Sequence, residues 1–354
     1  MNTSKVAEIH SAALPGADVP VHSLANPMHE ECWEWAKLRK MTLKQMDKFM
    51  ALVPLVLRDE DLTSVNGIRI TCRRLEQILE LVYAKPRPRH IKRLRRRLKL
   101  CRQTLGTLRN CEAMLAWAER SIAGNDPYME AWRGLREYLC SRRRPTAQQS
   151  LEKLGRVNVA LPYLRIKRDL AMDTDQLRGS NGGIANLALT PAELVRQQIT
   201  RSLRHRWREL EARLDRSHTD PSTHVVHGVR IAAKRLRCLI EVMSKLHMEG
   251  SAEVMEWLKS LQKTIGLWHD LEILEKMLRG ILLNRESLRM SAAVTIQIED
   301  LIQNNRTIKK ASSQQFFMMT RRSADFDNVK KWVDGILHTR ADQMGAAGGF
   351  TRPV

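Results

Sequence analysis

Apolar residues recur every three or four positions along most of the chain, which is the spacing of helices that bury one face. Ile91, Leu94, Leu98, Cys101, Leu105 and Leu108 step by 3, 4, 3, 4 and 3. Such a narrow seam suits a long helix packed between others. Val226, Val229 (with Ala233 beside it), Leu236 and Leu239–Ile240 keep the same period, while His227, Arg230, Lys234 and Arg237 recur at 3, 4 and 3 on another side. A helix built this way buries one face and carries a row of cations on a second. The periodicity predicts helices from about Glu30 to Leu57 with a kink at Pro54, then over 64–83, 89–119 and 127–141. Further helices are expected over 191–215, 223–247, 251–280, 286–305 and 325–339. No strand-like alternation competes, so the expected class is all-α.

The basic stripe occurs twice. Val65-Asn66-Gly67-Ile68-Arg69-Ile70 followed by Arg73-Arg74-Leu75 matches Val226-His227-Gly228-Val229-Arg230-Ile231 followed by Lys234-Arg235-Leu236, at an offset of 161 residues. A second block repeats in near register. Leu105-Gly106-Thr107-Leu108-Arg109-Asn110-Cys111-Glu112 aligns with Ile265-Gly266-Leu267-Trp268-His269-Asp270-Leu271-Glu272 at an offset of 160, and Lys99 matches Lys259. Two blocks in register argue for tandem copies of one helical bundle. The expected organisation is a disordered leader over 1–28, repeat one over 29–141, a connector over 142–190, repeat two over 191–340 and a flexible tail over 341–354. Pro145, Pro162 and the run Gly179-Ser180-Asn181-Gly182-Gly183 define the connector.

Charge sharpens the picture. The 354 residues include 60 Lys or Arg against 39 Asp or Glu, a net +21, and only 5% are aromatic. The cations are concentrated: Lys85 to Arg109 holds eleven of them and no acid. A field of that sign favours an anionic partner. Like charges at i,i+3 and i,i+4 destabilise a helix that lacks a counter-charge, which argues that the stripes face something negative. Cys32, Cys72, Cys101, Cys111, Cys140 and Cys238 show no CxxC spacing and read as thiols of a reducing compartment. No apolar run reaches membrane-span length and no signal sequence is evident, so a soluble, cytoplasmic protein is expected. His224 and His227 lack an acidic or thiol partner nearby, so no metal site is expected. Gly182-Gly183 is not followed by the Lys-Ser/Thr of a phosphate-binding loop, and no paired-carboxylate or nucleophile motif stands out. A catalytic residue and a cofactor are therefore not expected. Asp270 and Glu272 read as helix caps or salt-bridge partners of a motif arginine.

The duplicated stripe, each copy followed by a leucine–glycine block, resembles the CHAD family, the conserved histidine α-helical domain. The second copy fits through His227-Gly228-Val229-Arg230-Ile231 with Lys234-Arg235-Leu236-Arg237, and through Gly266 with Trp268-His269-Asp270. The resemblance spans about residues 30–340. It implies two four-helix bundles related by a pseudo-twofold axis, with a basic groove or pore between them that binds inorganic polyphosphate, often at polyphosphate granules. On that reading Arg69, Arg73, Arg74, Arg230, Lys234, Arg235 and Arg237 line the site, with His227 facing phosphate. Lys99, Arg102, Lys259 and Lys263 would join from the long helices.

The first copy departs from the family pattern: Asn66 replaces the histidine, Glu76 stands where an arginine is expected, and Asn110 replaces an aspartate. The implied site is asymmetric, with the second repeat and the arginines of the 89–119 helix contributing most. Some family members carry a triphosphate-processing domain, but its Glu-x-Glu-x-Lys signature is absent here. The expected activity is therefore binding without catalysis. The alternative is a nucleic-acid-binding protein that contacts the phosphate backbone. The scarcity of aromatics for base stacking weighs against it.

Overall fold

The apolar seams gather ten helices among the residues described in this computed structural model, namely 33–57, 62–83, 87–157, 160–171, 191–284, 290–321 and 323–346. They are α1 (Trp33–Leu57), α2 (Leu62–Val82), α3 (Arg89–Ala123), α4 (Met129–Gly155) and α5 (Ala160–Ala171) in the first half. The second half contains α6 (Pro191–Thr219), α7 (Thr223–Lys245), α8 (Ser251–Leu283), α9 (Ala292–Arg321) and α10 (Ala324–Ala346). Their starts pair as 33 and 191, 62 and 223, 89 and 251, 129 and 292, and 160 and 324, so the second five follow the first by 158 to 164 residues. No strand occurs among the described residues.

Three cores hold the helices together. The first collects Ile68, Cys72 and Leu75 of α2, the Ile91–Leu108 seam of α3, and residues of α1, α4 and α5. A second surrounds Trp207 of α6, with α7, the first half of α8, Phe316 of α9 and Val329 and Val333 of α10. The third joins the halves: Cys111, Met114 and Ala118 of α3 and Trp132, Leu135 and Leu139 of α4 meet Leu274, Leu278 and Ile281 of α8 and Ile298, Leu301 and Ile302 of α9. The long helices α3 and α8 therefore serve two cores each, which is why their seams run so far. Helices at matching positions also touch across the halves, α1 with α6, α2 with α7 and α4 with α9.

Two expected boundaries shift because tertiary burial overrides local signals. The helix expected to end near Arg142–Pro145 continues as α4 to Gly155. A proline inside a helix costs about 3 kcal/mol. Beyond it, however, Ala147, Ser150 and Leu154 are buried, two of them in the first core. Likewise, Pro162 does not interrupt the connector; it lies in the first turn of α5, where its missing N–H goes unneeded. Ile166 and Leu170 then complete the first core. The segment expected as a connector over 142–190 thus contributes helical structure through Ala171.

The helix expected over 286–305 runs instead over 292–321 as α9. Polar residues masked its apolar face, because several of them are buried with partners supplied by folding. Asn305 donates Nδ2–H to the Leu271 carbonyl at 2.9 Å, Ser312 donates to the Thr264 carbonyl at 3.2 Å, and the Thr320 hydroxyl meets the His218 ring nitrogen of α6 at 3.0 Å. α10 extends to Ala346, past the expected 339. The leader over 1–28, the run Gly179–Gly183, Cys32 and residues 347–354 lie outside the described residues. Cys72, Cys101, Cys111 and Cys238 are buried free thiols, and Cys140 is exposed. Among the described residues no helix is long and apolar enough to cross a membrane.

One turn couples α7, α8 and α10. Gly250 takes φ +70°, and Trp332 of α10 lies against the position a β-carbon would occupy there. The indole Nε1–H donates to the neighbouring Glu249 carbonyl at 2.9 Å. Replacing Gly250 with alanine adds left-handed strain and displaces the indole, an expected loss of about 2–4 kcal/mol. Urea denaturation of Gly250→Ala measures it, and an unchanged midpoint would count against this docking.

Candidate anion-binding site

α7 buries Val225, Val226, Val229, Ala232, Ala233, Leu236, Leu239 and Ile240, and this orientation turns His227, Arg230 and Lys234 toward α2 and α8. α2 is held by Ile68, Cys72 and Leu75, which brings Arg69 and Arg73 to the same place. α3 offers a glycine where the Arg69 side chain of α2 reaches it. Arg69 Nη1 donates to the Arg102 carbonyl at 2.6 Å and sits 3.3 Å from where a β-carbon at Gly106 would stand. The absent side chain makes room for the guanidinium. One turn further along α3 stands Arg109, 3.5 Å from the carboxylate of Asp270 on α8, and the His269 ring lies tilted against that of His227, centroids 5.4 Å apart.

The resulting cluster is half buried and strongly positive. Burial, and then Arg73, Arg109, Arg102 and Arg230 in turn, push Arg69 down to about 10. Arg230 is also pushed down to about 10, chiefly by burial; Asp270 opposes the shift, while Arg109 and Arg73 add to it. Lys234 falls to about 6 through burial and the charges of Arg230, Arg73, Arg109 and Arg69. His269 falls to about 3 through burial and the charges of Arg230, His227, Lys234 and Arg109. His227 is lowered by burial, then by Arg230, Lys234 and His224. Arg73 is lowered mainly by burial, with Arg102 and Arg237 reinforcing it and Glu76 and the Cys238 thiol opposing. Two buried atoms here, Nε of Arg230 and Oδ1 of Asp270, make no hydrogen bond. Four guanidinium groups and the Lys234 amine, offset by Asp270 and, at Arg73, by Glu76, leave positive charge uncompensated. Burying like charges together is costly, and an anion with several oxygens removes that cost while satisfying the free N–H groups.

The structure separates the expected ligands into three groups. Arg69, Arg73, Arg230, Lys234 and His227 meet in the cluster, and the charge of Arg102 acts on it from α3. The Arg102 guanidinium itself pairs with Glu76 at 3.3 Å. Arg74, Arg235 and Arg237 lie in ion pairs instead: Arg74 and Arg237 hold Glu241 at 3.0 and 3.2 Å, and Arg235 holds Glu209 at 2.7 Å. Lys99, Lys259 and Lys263 are exposed on α3 and α8, with Lys259 paired to Glu256.

Arg109 and His269 join the cluster without having been singled out from the sequence as ligands. The signal was present, because they occupy the same place in the second repeated block, 160 residues apart. Asp270 meets its expected role as a salt-bridge partner, through Arg109. Glu76 also finds a local explanation. In the first half it accepts from Arg102; in the second half Arg237 donates to Gln262 at 3.0 Å. Glu76 corresponds to Arg237 and Arg102 to Gln262, so the same interhelical link is made with donor and acceptor exchanged.

Comparison with known proteins agrees with this architecture. Residues 40–279 match the CHAD domain family. The chain is similar to the crystal structure of the CHAD domain from the plant Ricinus communis, with 17% sequence identity, a TM-score of 0.52, and coverage of 85% of this chain and 91% of that one. At that identity the likeness concerns the fold. No curated protein sequence is significantly similar to the chain.

Proposed function

The chain belongs to the CHAD domain family, and on that premise we propose that it binds inorganic polyphosphate between its two halves, without catalysis. The observation that carries this reading is the half-buried convergence of Arg69, Arg73, Arg109 and Arg230 with the Lys234 amine beside Asp270, each cation lowering its neighbours' proton affinity. Polyphosphate offers closely spaced anionic oxygens. Arginine forks engage two at a time, and counterion release supplies affinity.

In this reading the halves are tandem bundles related by a pseudo-twofold axis. The like-on-like contacts of α1 with α6, α2 with α7 and α4 with α9 support that arrangement. The axis passes near the cluster, so that Arg69 and Arg230, Arg73 and Lys234, and Arg109 and His269 act as matched pairs. For binding without chemistry the support is the ion pair of Asp270 with Arg109 at 3.5 Å, which sets that carboxylate beside a guanidinium as a charge partner. The family reading further assigns the protein to the cytoplasm, at polyphosphate granules.

Calorimetry with long-chain polyphosphate, duplex DNA and RNA, at about 50 and 200 mM salt, tests the proposal. Polyphosphate is expected to bind more tightly than either nucleic acid at both salt concentrations. Tighter binding of DNA or RNA would replace this reading with backbone recognition of nucleic acid.

A further inference from the structure

A polyanion longer than the cluster runs on beyond it, and the neighbouring helices decide where. α3 and α8 leave the cluster from equivalent glycines, Gly106 and Gly266, and differ in what they carry along the way. Counting back from Gly106 toward the start of α3, Lys99 comes about two turns earlier on the same side, Lys92 about two turns earlier again, and Arg96 flanks them. All three are exposed, and none of their side chains has an ion-pair or hydrogen-bond partner among the described residues. The acids bordering this side belong to α2 and are already engaged: Glu76 with Arg102, and Glu80 with Arg95, Arg87 and Arg206.

On α8 the corresponding positions read differently. Ala252 stands for Lys92, Glu253 for Arg93 and Glu256 for Arg96, and Glu256 takes up the charge of Lys259. One exit from the cluster is a cationic stripe about 20 Å long, at 1.5 Å per residue; the other is interrupted by acid.

We propose that a long polyphosphate chain leaves the cluster along α3, over Lys99, Arg96 and Lys92, and not along α8. This rests on the polyphosphate reading above and adds to it a direction and a dependence on chain length. Short chains occupy the cluster alone, while longer ones gain contacts on the α3 stripe. The first half, which contributes Asn66 in place of a histidine, thus supplies the outward arm.

The test compares tripolyphosphate with long-chain polyphosphate by calorimetry, using the full chain as wild type, as Lys92→Glu/Arg96→Glu/Lys99→Glu, and as Arg201→Glu/Arg204→Glu/Arg208→Glu. The last variant removes the same net charge from exposed positions on the side of α6 opposite Arg206. The α3 variant is expected to lose at least tenfold in affinity for the long chain and to change less than threefold for tripolyphosphate. Its salt slope for the long chain should fall by about two, at 0.7–0.9 per lost phosphate contact. The α6 variant should shift both ligands equally, by less than threefold. Equal losses for both ligands in the α3 variant, or a long-chain loss matched by the α6 variant, would overturn the track and leave the cluster standing. A wild-type chain that binds neither phosphate would instead remove the polyphosphate reading, and the track with it.

Discussion

Replacing Arg230 with methionine is expected to weaken polyphosphate binding roughly 30-fold, about 2 kcal/mol, while leaving the ligand-free chain at least as stable as wild type. Two observations set the sign of each effect. Arg230 is half-buried beside Arg109 and Arg73, its Nε makes no hydrogen bond, and its charge depresses Lys234 and His269. Without an anion the charge is a net burden, and methionine preserves the packing of the stem. With an anion bound, the same guanidinium donates charge-assisted hydrogen bonds that methionine cannot make. Asp270 keeps Arg109 as its partner, so the substitution does not strand a carboxylate.

Arg235→Met supplies the contrast. Arg235 belongs to the same basic motif, but it is part-exposed and holds Glu209, which also pairs with Arg206 and Arg213. An ion pair that exposed is worth about 0–1 kcal/mol, so a small stability loss and less than a threefold change in affinity are expected. Calorimetry and thermal denaturation of both variants measure the pair of effects. If Arg230→Met destabilises the free protein by more than Arg235→Met and leaves affinity intact, the cluster is a structural device and not a binding site.

Binding at neutral pH should draw protons from solution, about one per site. In the free protein Lys234 titrates at about 6 instead of its ordinary value near 10.4, so it is mostly neutral at pH 7. A bound polyanion restores a high proton affinity to it, and to His227. The affinity should therefore rise as pH falls from about 10 toward 6. Below 6 Lys234 is charged with or without ligand and contributes no further slope, and His269, at about 3 in the free protein, takes over in the acidic range.

The ligand-free chain follows the opposite trend. A group whose folded value lies below its unfolded value binds fewer protons when folded. Stability consequently rises with pH between the two values, and the penalty is present in full below the folded one. Lys234 thus disfavours the free fold increasingly as pH drops from about 10 to 6, and His269 does so from about 6.5 to 3. Calorimetry at pH 7 in two buffers of different ionisation enthalpy gives the proton count directly. Lys234→Arg, which keeps its charge at pH 7, should retain affinity and lose most of the uptake. Proton release on binding, or uptake unchanged in Lys234→Arg, would remove Lys234 from the site.

Much of this protein was legible in its order of residues, for reasons that are local or periodic. Helix formation follows from seams such as Ile91–Leu108, because a side chain every three or four positions can be buried only on a helix face. The motif equivalences follow from simple register, which is how Arg69 and Arg230 are matched without coordinates. What could not be read is which of several adjacent cations is free. Arg235 belongs to the same run as Arg230 and Lys234, and nothing local reveals that Glu209, from α6, holds it; Glu241, which holds Arg237, lies only four residues further along α7 and was within reach of a local reading. The polar face of α9 was equally opaque, since Asn305 and Ser312 find their partners on α8, more than thirty residues away.

The chain by itself therefore determined a helical, duplicated, strongly basic molecule, and the motifs from which its anion site is drawn. Tertiary structure decided which cations converge, because charge compensation depends on distance across helices and not on separation along the chain. It also brought Arg109 and His269 in and sent Arg235 out. A cation's identity is written in the sequence, but whether it is spent on a neighbouring carboxylate or left unpaired for a ligand is settled only when the helices pack.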